Sequence, residues 1–321
     1  MKEINKFVST KEIIIIGHKN PDTDTVVSSI LLAELINQAQ KPVEGRAVAK
    51  ASGEINKETK FVLDHFSQEA LTKIDSLASQ DVFLVDHGEF EQSIQGIEQA
   101  NLVGVLDHHK MGGIITSSPI FYRSEPKGST ATLIAEMFFN NQITPSKKQA
   151  GLLLAAIISD TLKLTSPTTT QDDKDMAKKL IEISQEDMEK LADHIFEAKS
   201  DISGISPQDL VNKDYKDYEA GGKKFGFGVL ETVLPQKAEE IQDGIFAALE
   251  SIKKDKNLDF IFFALVDILK RESKIFLLEQ EKAVAESAFN AKSSGRFLIL
   301  PGVVSRKKQM VPLIINFLEQ K

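Results

Sequence analysis

Histidine is scarce in this chain, with only 6 residues, and four of them stand in short motifs beside aspartate. These motifs are His18-Lys19-Asn20-Pro21-Asp22-Thr23-Asp24, Asp86-His87 and Asp107-His108-His109, and a further segment, Ser159-Asp160, closes an apolar helical run. Alone, each has an ordinary reading. Asp24 or Thr25 could cap a helix with Asp22 favoured by the macrodipole, and an aspartate at a strand end is common turn chemistry. Together they crowd carboxylates that would repel and raise one another's pKa in one crevice. Divalent cations are the natural compensation. His18, Asp22 and Asp24 could supply one side of an ion pair and His108 the other, with Asp86 and Asp160 bridging. The chain has no Cys, so thiolate is excluded, and mixed imidazole and carboxylate donors suit Mn, Fe, Co or Zn better than Mg or Ca. Two such ions about 3.5–4 Å apart generate hydroxide near neutral pH and clamp the attacking and leaving oxygens of an in-line displacement. That chemistry is hydrolysis at phosphorus.

A second constellation lies near the C-terminus, Ser305-Arg306-Lys307-Lys308-Gln309, directly after the run RFLIL and the turn Pro301-Gly302. An isolated Arg-Lys-Lys is ordinarily a solvated basic face. At a helix start, however, cations oppose the macrodipole, a local cost that makes sense if anionic oxygens are held there. Arg306 would grip two oxygens and Lys307 would act as a point charge. A metal-bearing domain and a cationic domain on a flexible connector suggest a cleft that closes on a small polyanion.

The elements that must position these groups follow a βαβ pattern in the first half, the signature of a parallel sheet. Strands are predicted at 12–17, 42–49, 81–85 and 102–106, and after the loop at 18–24 Val27, Ile30, Leu31, Leu35 and Ile36 recur at helical spacing. Helices are predicted at 129–140, 147–160, from Gln171 with Thr170 as N-cap, and at 185–198. In open α/β sheets the ligand site lies at the carboxyl ends of the strands, which is where the His and Asp motifs fall. The Ser-, Gly- and Pro-rich stretch at 199–208 reads as a linker, dividing a metal-binding domain at 1–198 from a smaller mixed α/β domain at 209–321. The latter is predicted as a hairpin at Gly221-Gly222, strands at 224–230, 259–266, 274–279 and 296–300, and helices at 236–254, at 282–291 and from Lys307. His65 and His194, inside apolar segments, read as structural.

Composition sets bounds on partners. The 321 residues include 39 Lys+Arg against 47 Asp+Glu, a formal net charge of -8, so the chain lacks the basic field that drives non-specific nucleic-acid binding. At 41% hydrophobic and 27% charged residues it reads as an ordinary globular protein. The run at 13–16 is too short for a signal-peptide core or a membrane span, so no membrane partner and a cytoplasmic location are expected.

GHKNPDTD, VDH, DHH and SRKKQ, in that order and at these separations, resemble the family II inorganic pyrophosphatases, manganese- or cobalt-dependent members of the DHH phosphoesterase superfamily. The resemblance runs from about residue 12 to the end and leaves the first eleven residues as an extension. It implies a doubly wound, mostly parallel DHH domain and a smaller DHHA2 domain. It also implies two Mn²⁺ or Co²⁺ ions per chain, an additional Mg²⁺ with the pyrophosphate substrate, and a homodimer. Carried over by motif, His18, Asp22, Asp86 and Asp160 would bind one ion and Asp24, Asp86, His108 and Asp160 the other. His109 would face the substrate, Asp107 would orient the imidazoles, and Lys216 would join Arg306 and Lys307 in binding pyrophosphate. One position departs: the family usually has Asn after Asp-His at the third strand, and here it is Gly88. Other DHH phosphoesterases, acting on oligonucleotides, cyclic dinucleotides or polyphosphate, are the alternative. The phosphodiesterases among them carry a GGGH-type signature that this chain lacks.

Overall fold

The computed structural model describes residues 12–39 and 46–320; the N-terminal extension and positions 42–45 of the predicted second strand lie outside them. The chain divides into two compact units, Met1–Ala198 and Lys199–Lys321. In the first, β1 (Ile13–Ile16), β2 (Ala47–Ala49), β3 (Asp81–Val85), β4 (Asn101–Asp107) and β5 (Phe121–Ser124) form an all-parallel sheet in the order β2-β1-β3-β4-β5. The four isoleucines of β1 are all buried, as a strand covered on both faces requires, each stabilising the fold by roughly 1.5–3 kcal/mol. The order reverses between β1 and β3, and such a switch point opens a crevice at the strands' carboxyl ends. His18 and Asp86 emerge there.

One face of the sheet carries Ile14, Ile16, Val82, Leu84 and Val105 and is covered by Leu77, Ile97 and their neighbours, on a segment with short 3₁₀ turns. The helices follow in chain order: α1 (Thr23–Ala39), α2 (Lys57–His65), α3 (Thr130–Asn140), α4 (Lys147–Asp160), α5 (Gln171–Ser184) and a sixth. Helix α4 is buried from Gln149 to Ser159, because it packs against α1, α3 and α5 at once; Thr170 caps α5 in a reciprocal capping box with Asp173. Helix α6 (Met188–Lys199) starts later than predicted, since Gln185 takes a left-handed conformation that ends α5. The short polar helix α2 and the edge strand β5 have no counterpart in the sequence reading.

The second unit begins with α7 (Pro207–Asn212), capped by Ser206 and with Pro at its start. Its Leu210 and Val211 are buried, and Ile202 and Ile205 pack onto the same cluster, so the stretch read as a linker contributes apolar contacts to this unit. Strands β6 (Tyr215–Ala220), β7 (Lys223–Thr232), β8 (Phe260–Asp267), β9 (Glu272–Phe276) and β10 (Phe297–Pro301) make a mixed sheet in reverse sequence order, with only β7 and β8 parallel. The hairpin falls at Gly221-Gly222, both at positive φ, and a Cβ on Gly221 would clash with the Leu318 carbonyl. The helix predicted at 236–254 is broken into α8 (Gln236–Glu239) and α9 (Gln242–Asp255). After α10 (Lys282–Phe289), the last helix, α11 (Val311–Glu319), is preceded by a π-helical turn at Arg306–Met310. Pro312 has no N–H to return to the carbonyl four residues earlier, and the amides of Gln309 and Met310 share the Ser305 carbonyl. Among the described residues no helix is long and apolar enough to cross a membrane.

Candidate metal centre

Asp22 begins α1: its carbonyl accepts from the Val26 amide and its Oδ1 from the Thr25 amide at 2.9 Å. The cap leaves Oδ2 directed at His18 Nε2, 3.6 Å away. Asp24, in the first turn of α1, is fully buried and performs a second, long-range task. Its Oδ1 accepts from Ser129 Oγ and the Ala131 amide, both at 2.9 Å, and its Oδ2 from the Thr130 amide at 2.6 Å. A side chain of α1 thus satisfies the open amides of α3, where a negative charge is favoured.

Asp86 leaves β3 with φ of 62°, the left-handed region that aspartate adopts more readily than most residues. Such outliers cluster at functional sites. The turn aims both carboxylate oxygens inward: Oδ2 accepts from Thr25 Oγ1 at 2.6 Å and Oδ1 from Thr130 Oγ1 at 2.9 Å. His18 Nε2 lies 3.5 Å from Oδ2 and His108 Nε2 3.3 Å from Oδ1. Donor atoms of His18, Asp22 and Asp86 lie within 4.8 Å of one another, as do those of Asp24, Asp86, His108 and Asp160. Asp86 is common to both sets, whereas Asp160 joins only the second; Asp86 and His108 also group with His109.

Whether this donor set fits a cation is answered by His108. Its Nδ1 faces the Lys127 carbonyl at 3.0 Å, where it is the donor. Its Nε2 is buried without a hydrogen-bond partner, amid Asp86, Asp24 and Asp160 at 3.3, 4.0 and 3.6 Å. A carbonyl that fixes the tautomer and leaves the other nitrogen directed at carboxylates is the usual arrangement of a metal-ligating histidine. The electrostatics agree. Burial opposes charging His18 and His108, yet the adjacent carboxylates push both up to about 10. Asp24 is pushed up to about 7 by burial and by the charges of Asp86 and Asp22, against His108 and Ser129. Burial also works against the Asp86 charge, but the two imidazoles hold its carboxyl well below the usual range. Without cations the histidines themselves supply the positive charge.

His109 lies at the rim of this cluster, its Nδ1 3.8 Å from Asp86 Oδ1, and is about half exposed, with 47% of its side chain accessible. Its amide and its Nδ1 both reach Asp107 Oδ1 at 3.0 Å. Asp107 therefore orients His109 and not His108. The hydrogen bond His109 donates to Asp107, over the opposing effect of burial, raises the pKa of His109. His87 joins neither set: it is buried between the Val85 carbonyl and Ser93 Oγ, and burial lowers its pKa. His65 pairs with Glu186 and packs on Phe61 and Phe66, while His194 packs on Phe61.

A residue that the sequence did not single out is Glu58, in the first turn of α2 and 4% exposed. Its Oε1 accepts from Thr23 Oγ1 at 2.7 Å and also from Ser159 Oγ. Thr23 sits between Asp22 and Asp24, and Ser159 precedes Asp160, so one carboxylate oxygen ties the two segments that carry these aspartates. Glu58→Leu is expected to weaken Mn²⁺ binding by about tenfold, with Glu58→Gln retaining most of it, measured by isothermal titration. An unchanged affinity in Glu58→Leu would show that the tie does not set the donor spacing.

In the second unit, Arg306 stands in the π turn with its guanidinium already engaged. Nη1 donates to the carbonyls of Asp214 at 2.5 Å and Phe227 at 3.2 Å, and Nη2 donates to Asp214 Oδ1 at 2.6 Å. Lys216 pairs across the hairpin with Phe227, which brings it to the strand position whose carbonyl receives Arg306. Lys216 and Lys307 are both exposed.

The chain matches two family descriptions, the DHH family, N-terminal domain, over residues 12–157 and the DHHA2 domain over residues 193–317. It is 40% identical over 307 residues to the manganese-dependent inorganic pyrophosphatase of Methanocaldococcus jannaschii, covering 93% of this chain and 96% of that one. With the Bacillus subtilis manganese-dependent inorganic pyrophosphatase it shares 37% identity over 308 residues, 95% and 98% of the two chains. The crystal structure of a Methanococcus jannaschii protein assigned to the family II inorganic pyrophosphatases superposes with a TM-score of 0.64 at 38% identity, over 95% of this chain and 99% of that one. Sheet order, carboxylate cluster and the two matched regions define a DHH protein with a DHHA2 domain. Within that class, the chain belongs to the manganese-dependent, family II inorganic pyrophosphatases.

Proposed function

We propose that the protein hydrolyses inorganic pyrophosphate to two phosphates with two Mn²⁺ or Co²⁺ ions per chain, additional Mg²⁺ accompanying the substrate. The observation that carries this reading is the shared position of Asp86, common to two sets of imidazole and carboxylate donors. His18, Asp22 and Asp86 would hold one ion and Asp24, Asp86 and His108 the other, with Asp160 completing the pair as a second bridge. When bound, such a pair acidifies a water and stabilises the attacking and leaving oxygens of an in-line displacement. The protein's own groups do the rest. Asp107 holds His109 by Nδ1 and biases it toward the protonated form, so that it can donate to a phosphate oxygen. Arg306, Lys307 and Lys216 neutralise charge on the transferred phosphoryl group, the main lever in phosphoryl transfer. A homodimer working in the cytoplasm completes the proposal.

Chelation is expected to abolish phosphate release, and Mn²⁺ or Co²⁺ to restore more of it than Mg²⁺ alone, because the donor set is richer in imidazole than a Mg²⁺ site. Equal rescue by Mg²⁺ would contradict that assignment. Phosphate release should be compared among pyrophosphate, tripolyphosphate, a dinucleotide and p-nitrophenyl phosphate. Preference for anything but pyrophosphate overturns the substrate.

A further inference from the structure

Asp107 is fully buried, and its Oδ1 receives both N–H groups of His109, but its Oδ2 has no hydrogen-bond partner. The hydroxyl of Tyr122, on the edge strand β5, is also buried and also lacks one. Both atoms face the same point. A Cβ built on Gly88 would stand 3.1 Å from the Tyr122 hydroxyl, 3.2 Å from Asp107 Oδ2 and 3.9 Å from the Lys110 carbonyl oxygen. Gly88 is the one place where the metal-site motifs depart from the resembled pattern, which has Asn. A side chain there would press on both of these oxygens, the Tyr122 hydroxyl and Asp107 Oδ2.

A buried carboxylate oxygen left unsatisfied is costly, and a buried water needs a polar site with two to four partners. The two orphaned atoms match one water: the Tyr122 hydroxyl donates to it, and it donates to Asp107 Oδ2. We propose that this water binds over Gly88, and that Tyr122 is thereby a positioning residue which holds Asp107, and through it the imidazole of His109. The role of an amide at position 88 is then divided between a glycine, a water and a tyrosine from another strand. The inference rests on the proposed role of His109 in pyrophosphate hydrolysis, but the water itself does not.

The test therefore has two arms. A crystal structure that resolves ordered solvent is expected to show one water about 3 Å from both Asp107 Oδ2 and Tyr122 Oη; no density there, or a direct bond between the two side chains, overturns the proposal. In the second arm, Gly88→Ala puts a methyl group in place of the water, and Tyr122→Phe removes its donor. Each should lower kcat for pyrophosphate by about tenfold, with Mn²⁺ stoichiometry and Tm at their wild-type values. The double variant should be no slower than Gly88→Ala, since both remove one interaction. Gly88→Asn should recover kcat to within about threefold, because its amide donates directly to Asp107 Oδ2. Wild-type turnover in Gly88→Ala or Tyr122→Phe, or fully additive losses, would overturn the positioning role. A wild-type protein that leaves pyrophosphate intact would fail the proposed function while leaving the crystallographic arm standing.

Discussion

Asp86→Asn is expected to abolish tight binding of both manganese ions, leaving less than one per chain by elemental analysis, and to slow phosphate release from pyrophosphate by at least about 10³-fold. The double loss is the distinguishing outcome. Asp86 alone belongs to both donor sets, and its two oxygens are committed to opposite sides, Oδ2 toward His18 and Thr25 and Oδ1 toward His108 and Thr130. An amide offers one oxygen where the carboxylate offers two, and it places N–H groups against hydroxyls and imidazoles arranged around an acceptor. Asp22→Ala should behave differently. Asp22 belongs only to the His18 set and its side chain is 44% exposed, so that variant should keep close to one ion per chain. Asp160→Ala discriminates further. Its position with Asp24, Asp86 and His108 requires loss of that ion, and weakening of the other ion as well would establish the second bridge. Retention of two ions by Asp86→Asn would refute the shared-ligand arrangement.

The grouping of the candidate donor side chains was legible because each follows directly from a strand or helix end. The β-branched run of β1 places His18 at its carboxyl end, DVFLV does the same for Asp86, and LVGVL for Asp107 to His109. A parallel sheet brings such ends together whatever the loops do. What was not legible depends on contacts distant in sequence. Asp24 reads as a helix-start residue, and only folding places it against the amides of Thr130 and Ala131. Glu58 lies in a polar nine-residue helix, Lys57–His65, whose pattern has no strong period, and nothing local distinguishes a glutamate that ties Thr23 to Ser159. Tyr122 sits on a four-residue edge strand, FYRS, too short and mixed to announce itself. In the second unit the grouping of Arg, Lys and Lys was visible, but their geometry was not. Pro312 displaces the regular helix and leaves Arg306 in a π turn, a local irregularity that recurs at functional sites.

Arg306→Ala should reduce kcat for pyrophosphate by about 10²- to 10³-fold while both manganese ions stay bound, since Arg306 is in the second unit and the cation donors are all in the first. The sharper expectation concerns lysine. Asp214, through its carbonyl and Oδ1, takes the Nη1 and Nη2 end of the guanidinium, and the Phe227 carbonyl takes a further Nη1 proton. The Nε–H and the remaining Nη2–H are thereby left along one edge, a fork that matches two phosphate oxygens. A lysine ammonium cannot satisfy two carbonyls and a carboxylate and still present two parallel donors, so Arg306→Lys should recover less than about a tenth of the lost turnover. Asp214→Ala should leave the guanidinium charged but unaligned, raising KM for pyrophosphate more than it lowers kcat. Near-normal turnover in Arg306→Lys would mean that charge alone is used, and the alignment by Asp214 would then be structural. Near-normal turnover in Arg306→Ala would remove the residue from the mechanism.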